Sequence, residues 1–129
     1  MTLVDTSVWI AAFRQRPPLV LTDIVPFDDI VTCLPVIQEV LQGFADERAY
    51  RLARAAMFAL PIVEAPLGAE VVTEAVALYR TARRGGVTIR SSVDCLIAAC
   101  ALRNDLDVLH RNRDFAAIAR VSQLRERGV

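Results

Sequence analysis

Lysine is missing from this chain of 129 residues: all 15 basic side chains are arginine, set against 15 acids for a formal net charge of zero. That absence excludes a Walker-type phosphate loop, Schiff-base catalysis, and a phosphoryl-receiver site of the kind that places a lysine beside its acids. Histidine is nearly missing too. His110 stands alone, and one histidine on an apolar strand reads as a packed residue rather than a catalyst. Cysteine is scarce and odd in number: Cys33, Cys95 and Cys100 have no C-x-x-C spacing and apolar surroundings, which predicts buried free thiols in a reducing compartment and no zinc site. The lack of a basic excess argues against a strongly basic nucleic-acid surface, without excluding nucleic acid as a partner. Long apolar runs are lacking as well. Ile30 to Gln38 and Ala55 to Val63 are about half of the roughly 20 residues that a membrane-spanning helix needs. The first residues include Asp5 and no basic stretch before an apolar one, so no signal peptide is predicted and the expected compartment is the cytoplasm. What is abundant is hydrophobic surface. At 54% hydrophobic the chain is no disordered tail, and at this length one domain spanning 1–129 can bury roughly two-thirds of its unfolded surface.

Along the chain, strand and helix patterns alternate. Leu3 and Val4 form a short apolar run ending at Asp5, after which Thr6 and Ser7 offer caps to a helix with Val8, Trp9, Ala12 and Phe13 at helical spacing. That spacing assigns Trp9 and Phe13 to the core. Pro17 and Pro18 end this helix, and Leu19 to Ile24 has room for one or two more turns. Ile30 to Cys33 reads as a second strand, and Pro35 suits the first turn of a helix through Val36, Ile37, Val40, Leu41 and Phe44. Asp46 to Leu60 predicts a further helix with Leu52, Ala55, Ala56 and Ala59 on one side. Pro61 to Val63 is a third strand, and Leu67 to Arg84 a long helix stopped by Gly85 and Gly86. Ser91 or Ser92 caps a helix from Val93 to Arg103 that is apolar all round from Cys95 to Leu102 and therefore buried. Val108 to His110 is a fourth strand, Asp114 and Phe115 open a last helix, and the polar tail from Arg120 either adds an edge strand or frays. Strands separated by helices pair in parallel through right-handed crossovers, which gives a three-layer α/β sandwich. Such sheets bind ligands at the carboxyl ends of their strands.

Four acids fall at or near those ends. Asp5 closes the first strand, Glu39 lies one turn into the helix after the second, Asp94 sits in the first turn of the buried helix, and Asp114 follows the fourth strand. Singly, each has a plain alternative: Asp5 or Asp114 as a helix cap, Asp94 as an ordinary first-turn acid, and Glu39, about 60° outside the apolar arc of its helix, as a solvated residue. Asp94 is the hardest to dismiss, because its neighbours Leu96, Ile97 and Ala101 are apolar and an unpaired buried carboxylate costs several kcal/mol. A helix N-terminus returns only about 0.3–1 kcal/mol, whereas a divalent cation can hold several carboxylates in one dry pocket. Oxygen-only ligands favour Mg²⁺ or Mn²⁺. Gly43, a turn beyond Glu39, leaves space for another segment or a phosphate, and Arg111 and Arg113 flank Asp114 within reach of phosphate.

The segments V-D-T-S-V-W-I around Asp5, V-I-Q-E-V-L-Q-G around Glu39, S-S-V-D-C-L-I-A-A around Asp94 and H-R-N-R-D-F-A-A-I-A around Asp114 together resemble the PIN domain. More narrowly, they resemble the VapC-type toxins of VapBC toxin-antitoxin modules, in order and over essentially the whole chain. The resemblance implies a PIN-like sandwich with a short parallel sheet of four or five strands, and a Mg²⁺-dependent endoribonuclease in which Mn²⁺ can substitute. It implies Asp5 and Asp94 as principal metal ligands, Glu39 as a third acid orienting metal or water, and Asp114 as a fourth. Thr6, Ser7 and Ser92 match hydroxyl positions beside the ligands. Where the family often has aspartate this chain has Asn112, which puts a second metal in doubt. The resemblance further implies a homodimer, a cognate VapB-type antitoxin, and an RNA substrate, tRNA first and ribosomal RNA next, with no membrane partner. Against it stand two other readings. A haloacid-dehalogenase-type phosphatase needs a second aspartate where Ser7 stands, and a lysine. A non-catalytic PIN-like binding module for RNA or protein has no need of four acids. With those four assigned to one pocket, the other acids fall short of the arginines, leaving a modest basic excess for phosphate.

Overall fold

Every strand is short and every strand pairing is parallel. A computed structural model describes residues Met1–Val129 and contains β1 (Thr2–Val4), β2 (Ile30–Cys33), β3 (Ile62–Val63), β4 (Asp107–His110) and β5 (Glu126–Gly128) in one sheet of order β3-β2-β1-β4-β5. Six helices make the crossovers and cover both faces: α1 (Thr6–Arg14), α2 (Leu34–Gln42), α3 (Glu47–Phe58), α4 (Ala69–Arg84), α5 (Ser92–Arg103) and α6 (Arg113–Arg120). The polar tail is thus an edge strand, with Val108 opposite Glu126 and His110 opposite Gly128. β1 lies at the centre, its Thr2 beside Ile30 on one flank and Asp107 on the other. The chain winds outward from β1 through β2 to β3, then returns to start again at β4. The switch in direction therefore falls between β1 and β4, where doubly wound sheets open a crevice.

Burial on both faces explains the unbroken apolar strands. Leu3, Val4 and Val108 are wholly buried, as are Ile97 through Ala101 on α5. α5 can run through the interior because its buried apolar residues are small, Cys95, Ala98, Ala99, Cys100 and Ala101, with Ile97 as the one large side chain among them. Val71, Ala75, Leu78 and Ala82 of α4 form the i, i+4 row that packs on it, and Arg103 at the end of α5 reaches Glu64 and Glu70 at distances of 3.0 and 3.1 Å. All three cysteines are buried free thiols. No helix is long and apolar enough to cross a membrane.

Several local expectations are sharpened or corrected. α3 turns Ala53 and Met57 inward, while Leu52 is 65% exposed; its alanine-rich sequence offers an apolar arc on more than one side, and the packing row on α2 selects among them. Phe13 lies at the rim of the fold, since α1 buries its Thr6, Val8 and Ala11 face; it stacks on Trp9 and meets Phe44 edge to face. At Gly43 another segment does come close, as the missing side chain allows: the Arg14 side chain of α1 fills the space and bonds the Gly43 carbonyl. Leu19 to Ile24 forms one turn, as the sequence allows, of 3₁₀ type over Leu21–Asp23.

Phe115 of α6 is wholly buried against the His110 ring, with ring centroids 5.3 Å apart. Phe115→Ala should cost about 3–5 kcal/mol of folding free energy in urea titration, whereas Leu52→Ala on exposed α3 should stay within about 0.5 kcal/mol.

Candidate active site

The crevice between β1 and β4 collects three buried acids. Asp5, one residue past β1, is 2% exposed; Asp94, in the first turn of α5, is 4%; Asp114, in the first turn of α6, is 5%. Asp5 has the extended backbone of a helix N-cap, and its Oδ2 accepts from the Ser7 amide at 3.1 Å and the Ser7 hydroxyl at 2.5 Å. Its other oxygen, Oδ1, is buried with no hydrogen-bond partner. Asp94 Oδ2 accepts from the Asn112 side-chain amide at 2.8 Å. Asp114 accepts from the Arg90 amide at 3.1 Å, and its other oxygen lies 3.5 Å from the Arg90 guanidinium. Glu39 is half-buried on α2 and joins this cluster through Thr6, whose hydroxyl donates to it at 2.8 Å. Glu39 also opens onto a groove of about 180 Å³ lined by Leu34, Gln38, Leu67 and Leu96.

Burial sets the electrostatics. Desolvation pushes the Asp94 carboxyl up from the usual 3.8 to about 7, aided by contact with Asp114 and by the charge of Asp5. Asp5 is also raised, again chiefly by desolvation, against the opposing pull of its Ser7 hydrogen bonds. No group of three or more acidic, histidine or cysteine side chains is arranged to hold a metal ion by itself; the direct acid-to-acid contact is between Asp94 and Asp114. Magnesium is usually held by one or two carboxylates, with water and substrate phosphates completing its shell. An orphaned, buried Asp5 oxygen beside a second carboxylate, in an oxygen-only donor set, fits a hard cation of that kind.

The PIN domain family matches residues 2–121 of this chain. The chain belongs to the PIN-domain family. Among curated proteins it is 33% identical to Ribonuclease VapC11 of Mycobacterium tuberculosis and to VapC ribonuclease Mb1587 of Mycobacterium bovis, with 96% of each chain covered in both cases. Among solved structures it is similar in fold to VapBC2 from Rickettsia felis bound to a promoter DNA fragment, at a TM-score of 0.79, 16% identity and coverage of 99% and 98%. It is likewise similar to VapBC-5 from Mycobacterium tuberculosis, a member of a toxin-antitoxin family, at a TM-score of 0.74, 20% identity and the same coverage.

In this PIN sheet the acids singled out from sequence divide in two. Asp5, Asp94 and Asp114 come together, and Glu39 stands one hydroxyl away. Asp5 serves as a cap and still leaves an oxygen free, so the capping role does not compete with ligation. The N-cap of α6 is Asn112, not Asp114, its side chain accepting from the Asp114 amide at 3.0 Å. Ser91, at the N-cap position of α5, makes no capping bond, and Ser92 faces the apolar groove between α4 and α5. Arg111 is engaged with Gln15 at 2.9 Å. Sequence reasoning missed Arg90, which reaches Asp114 through both backbone and side chain. Its one signal was its position just ahead of the Ser91–Ser92 turn.

Between pH 4 and 7 the folded protein keeps a proton on Asp94 that the unfolded chain has released, so without divalent ions its stability falls as pH rises. The loss expected between pH 4 and 8 is on the order of a few kcal/mol, each worth about 3–5 °C of Tm in a chain this size. Asp94→Asn should flatten that slope and melt above the parent at pH 8 in EDTA, as read by calorimetry.

Proposed function

We propose that this chain is the toxin of a VapBC-type toxin-antitoxin module, a divalent-cation-dependent endoribonuclease that hydrolyses RNA phosphodiester bonds. The observation that carries this reading is the buried Asp5 oxygen without a partner, set beside Asp94 and Asp114 in the β1–β4 crevice. The family membership and the ribonuclease names of relatives covering 96% of the chain support it. Asp5 and Asp94 would hold the ion, Mg²⁺ or Mn²⁺, with Glu39 and Asp114 as the third and fourth acids of the site. When bound, the ion supplies the acidity that readies water for attack on a phosphate and the charge that steadies the leaving oxygen.

The protein's own residues do the rest. Ser7 and Asn112 each occupy one oxygen of an acid, fixing which oxygen faces the crevice. Thr6 turns Glu39 toward the Asp5 side. Arg90, exposed over Asp114, is placed to draw a phosphate toward the acids. We assign tRNA as the substrate class and a small VapB-type antitoxin as the neutralising partner, offering a basic side chain to the acids. A cytoplasmic homodimer completes the proposal. It is supported by the apolar groove of about 350 Å³ between α4 and α5, where Val72 and Val76 are half exposed beside Tyr79 and Leu96.

With unfractionated tRNA and Mg²⁺, the parent should cut and EDTA should abolish cutting. Asp5→Asn and Asp94→Asn should each lower the rate by roughly a hundredfold or more, as for loss of a group that stabilises transition-state charge. Equal cleavage by Asp94→Asn and the parent would overturn the nuclease reading. Light scattering after size exclusion should give twice the 14.2 kDa chain mass, and a stable monomer would overturn the homodimer.

A further inference from the structure

His110 has more polar partners than a packed core residue needs. It is 5% exposed at the end of β4, where its Nε2 meets the Glu126 carboxylate of β5 and its Nδ1 accepts from the Asn112 amide N–H at 3.1 Å. A ring nitrogen that accepts carries no proton, so the proton sits on Nε2 and points at Glu126. The peptide that His110 holds belongs to the loop that touches Asp94 and Asp114 and reaches Asp5 through Ser7. Asn112 donates its side-chain amide to Asp94 Oδ2 and accepts from the Asp114 N–H with its side-chain oxygen. The Arg111 N–H donates to the Ser7 hydroxyl at 2.9 Å, and that hydroxyl donates to Asp5.

We propose that Glu126 and His110 form a positioning pair for the β4–α6 loop, and that Asn112 is the positioning residue through which the pair orients Asp94. The chemistry of residue 112 explains the choice of side chain. An aspartate there would set a further negative charge against Asp94, whereas an amide donates a hydrogen bond to it and still caps α6. Glu126, on the edge strand and in contact with none of the site's acids, thereby acts on the site at two removes, as outer-shell groups do in metal centres. The inference deepens the nuclease reading and rests on it.

Three variants test it. Asn112→Ser keeps a capping oxygen but has no amide to give Asp94; Glu126→Leu removes the acceptor for the His110 N–H; Glu126→Gln keeps one. With unfractionated tRNA, Asn112→Ser and Glu126→Leu should lower kcat about ten- to hundredfold at nearly constant KM, and weaken Mn²⁺ binding in calorimetry by a similar factor. Glu126→Gln should restore most of both, and thermal melts should show all three folded. Because His110 is the sole histidine, its ring nitrogens are assigned in ¹⁵N NMR without ambiguity, and the parent and Glu126→Gln should carry the proton on Nε2. A parent that cuts RNA while Asn112→Ser and Glu126→Leu match it in kcat and Mn²⁺ affinity overturns the positioning role, as does a His110 spectrum with the proton on Nδ1. A parent that neither binds Mn²⁺ nor cuts RNA overturns the nuclease reading instead, and with it any role for Asn112 in orienting a ligand.

Discussion

Three carboxylates buried in one crevice, Asp94 against Asp114 and in the field of Asp5, are the constraint around which this fold is arranged. Left alone, each would lose its hydration and repel the other two, and a chain of this size has only about 5–15 kcal/mol of net stability to set against that. The protein softens the conflict without removing it. Ser7 gives Asp5 two donors, Asn112 gives Asp94 one, and Arg90 gives Asp114 a backbone amide and a nearby cation. One buried oxygen on Asp5 is still left unsatisfied, and Asp94 holds its proton to about pH 7. A site left in such deficit is stabilised by whatever cation neutralises it, which is the usual relation between a strained functional centre and its ligand.

The deficit is concentrated where the topology makes room. Because β1 is central and the winding reverses between it and β4, the loops leaving these two strands diverge and leave a crevice between them. Asp5 and Asn112 stand on either side of it. Asp94 and Asp114 stand in the first turns of α5 and α6, as acids at helix N-termini, where a negative charge is best tolerated.

Much of this was legible in the sequence. The alternation of strand and helix follows from runs such as Ile30–Cys33 and from the all-apolar stretch of α5, since a fully buried element leaves little choice of face. Where the apolar arc is broad the sequence is silent, which is why the inner face of α3 and the exposure of Phe13 needed the packing partners to decide them. In the site, the strand-end acids could be read because their type and place carry the chemistry. Their hydrogen-bond partners could not. Ser7, two residues from Asp5, is the exception; Arg90 and Asn112 are common polar residues, and what sets them apart is a distance to an acid 24 or 18 residues away in the chain. His110 shows the limit most clearly: packed, as its strand suggests, yet with both ring nitrogens engaged.

The central position of β1 also bears on how the protein comes to exist on the ribosome. Thr2, Leu3 and Val4 pair on one flank with Asp107, Val108 and Leu109, so the first strand emerges nearly the whole chain ahead of its neighbour. Non-local parallel pairings of this kind form late. The crevice, whose acids run from residue 5 to residue 114, therefore closes only after β4 and α6 have formed, and a chain that has reached no further than β2 holds Asp5 without Asp94 or Asp114. Whatever chemistry the crevice performs, it becomes available only once strands far apart in the sequence have come together.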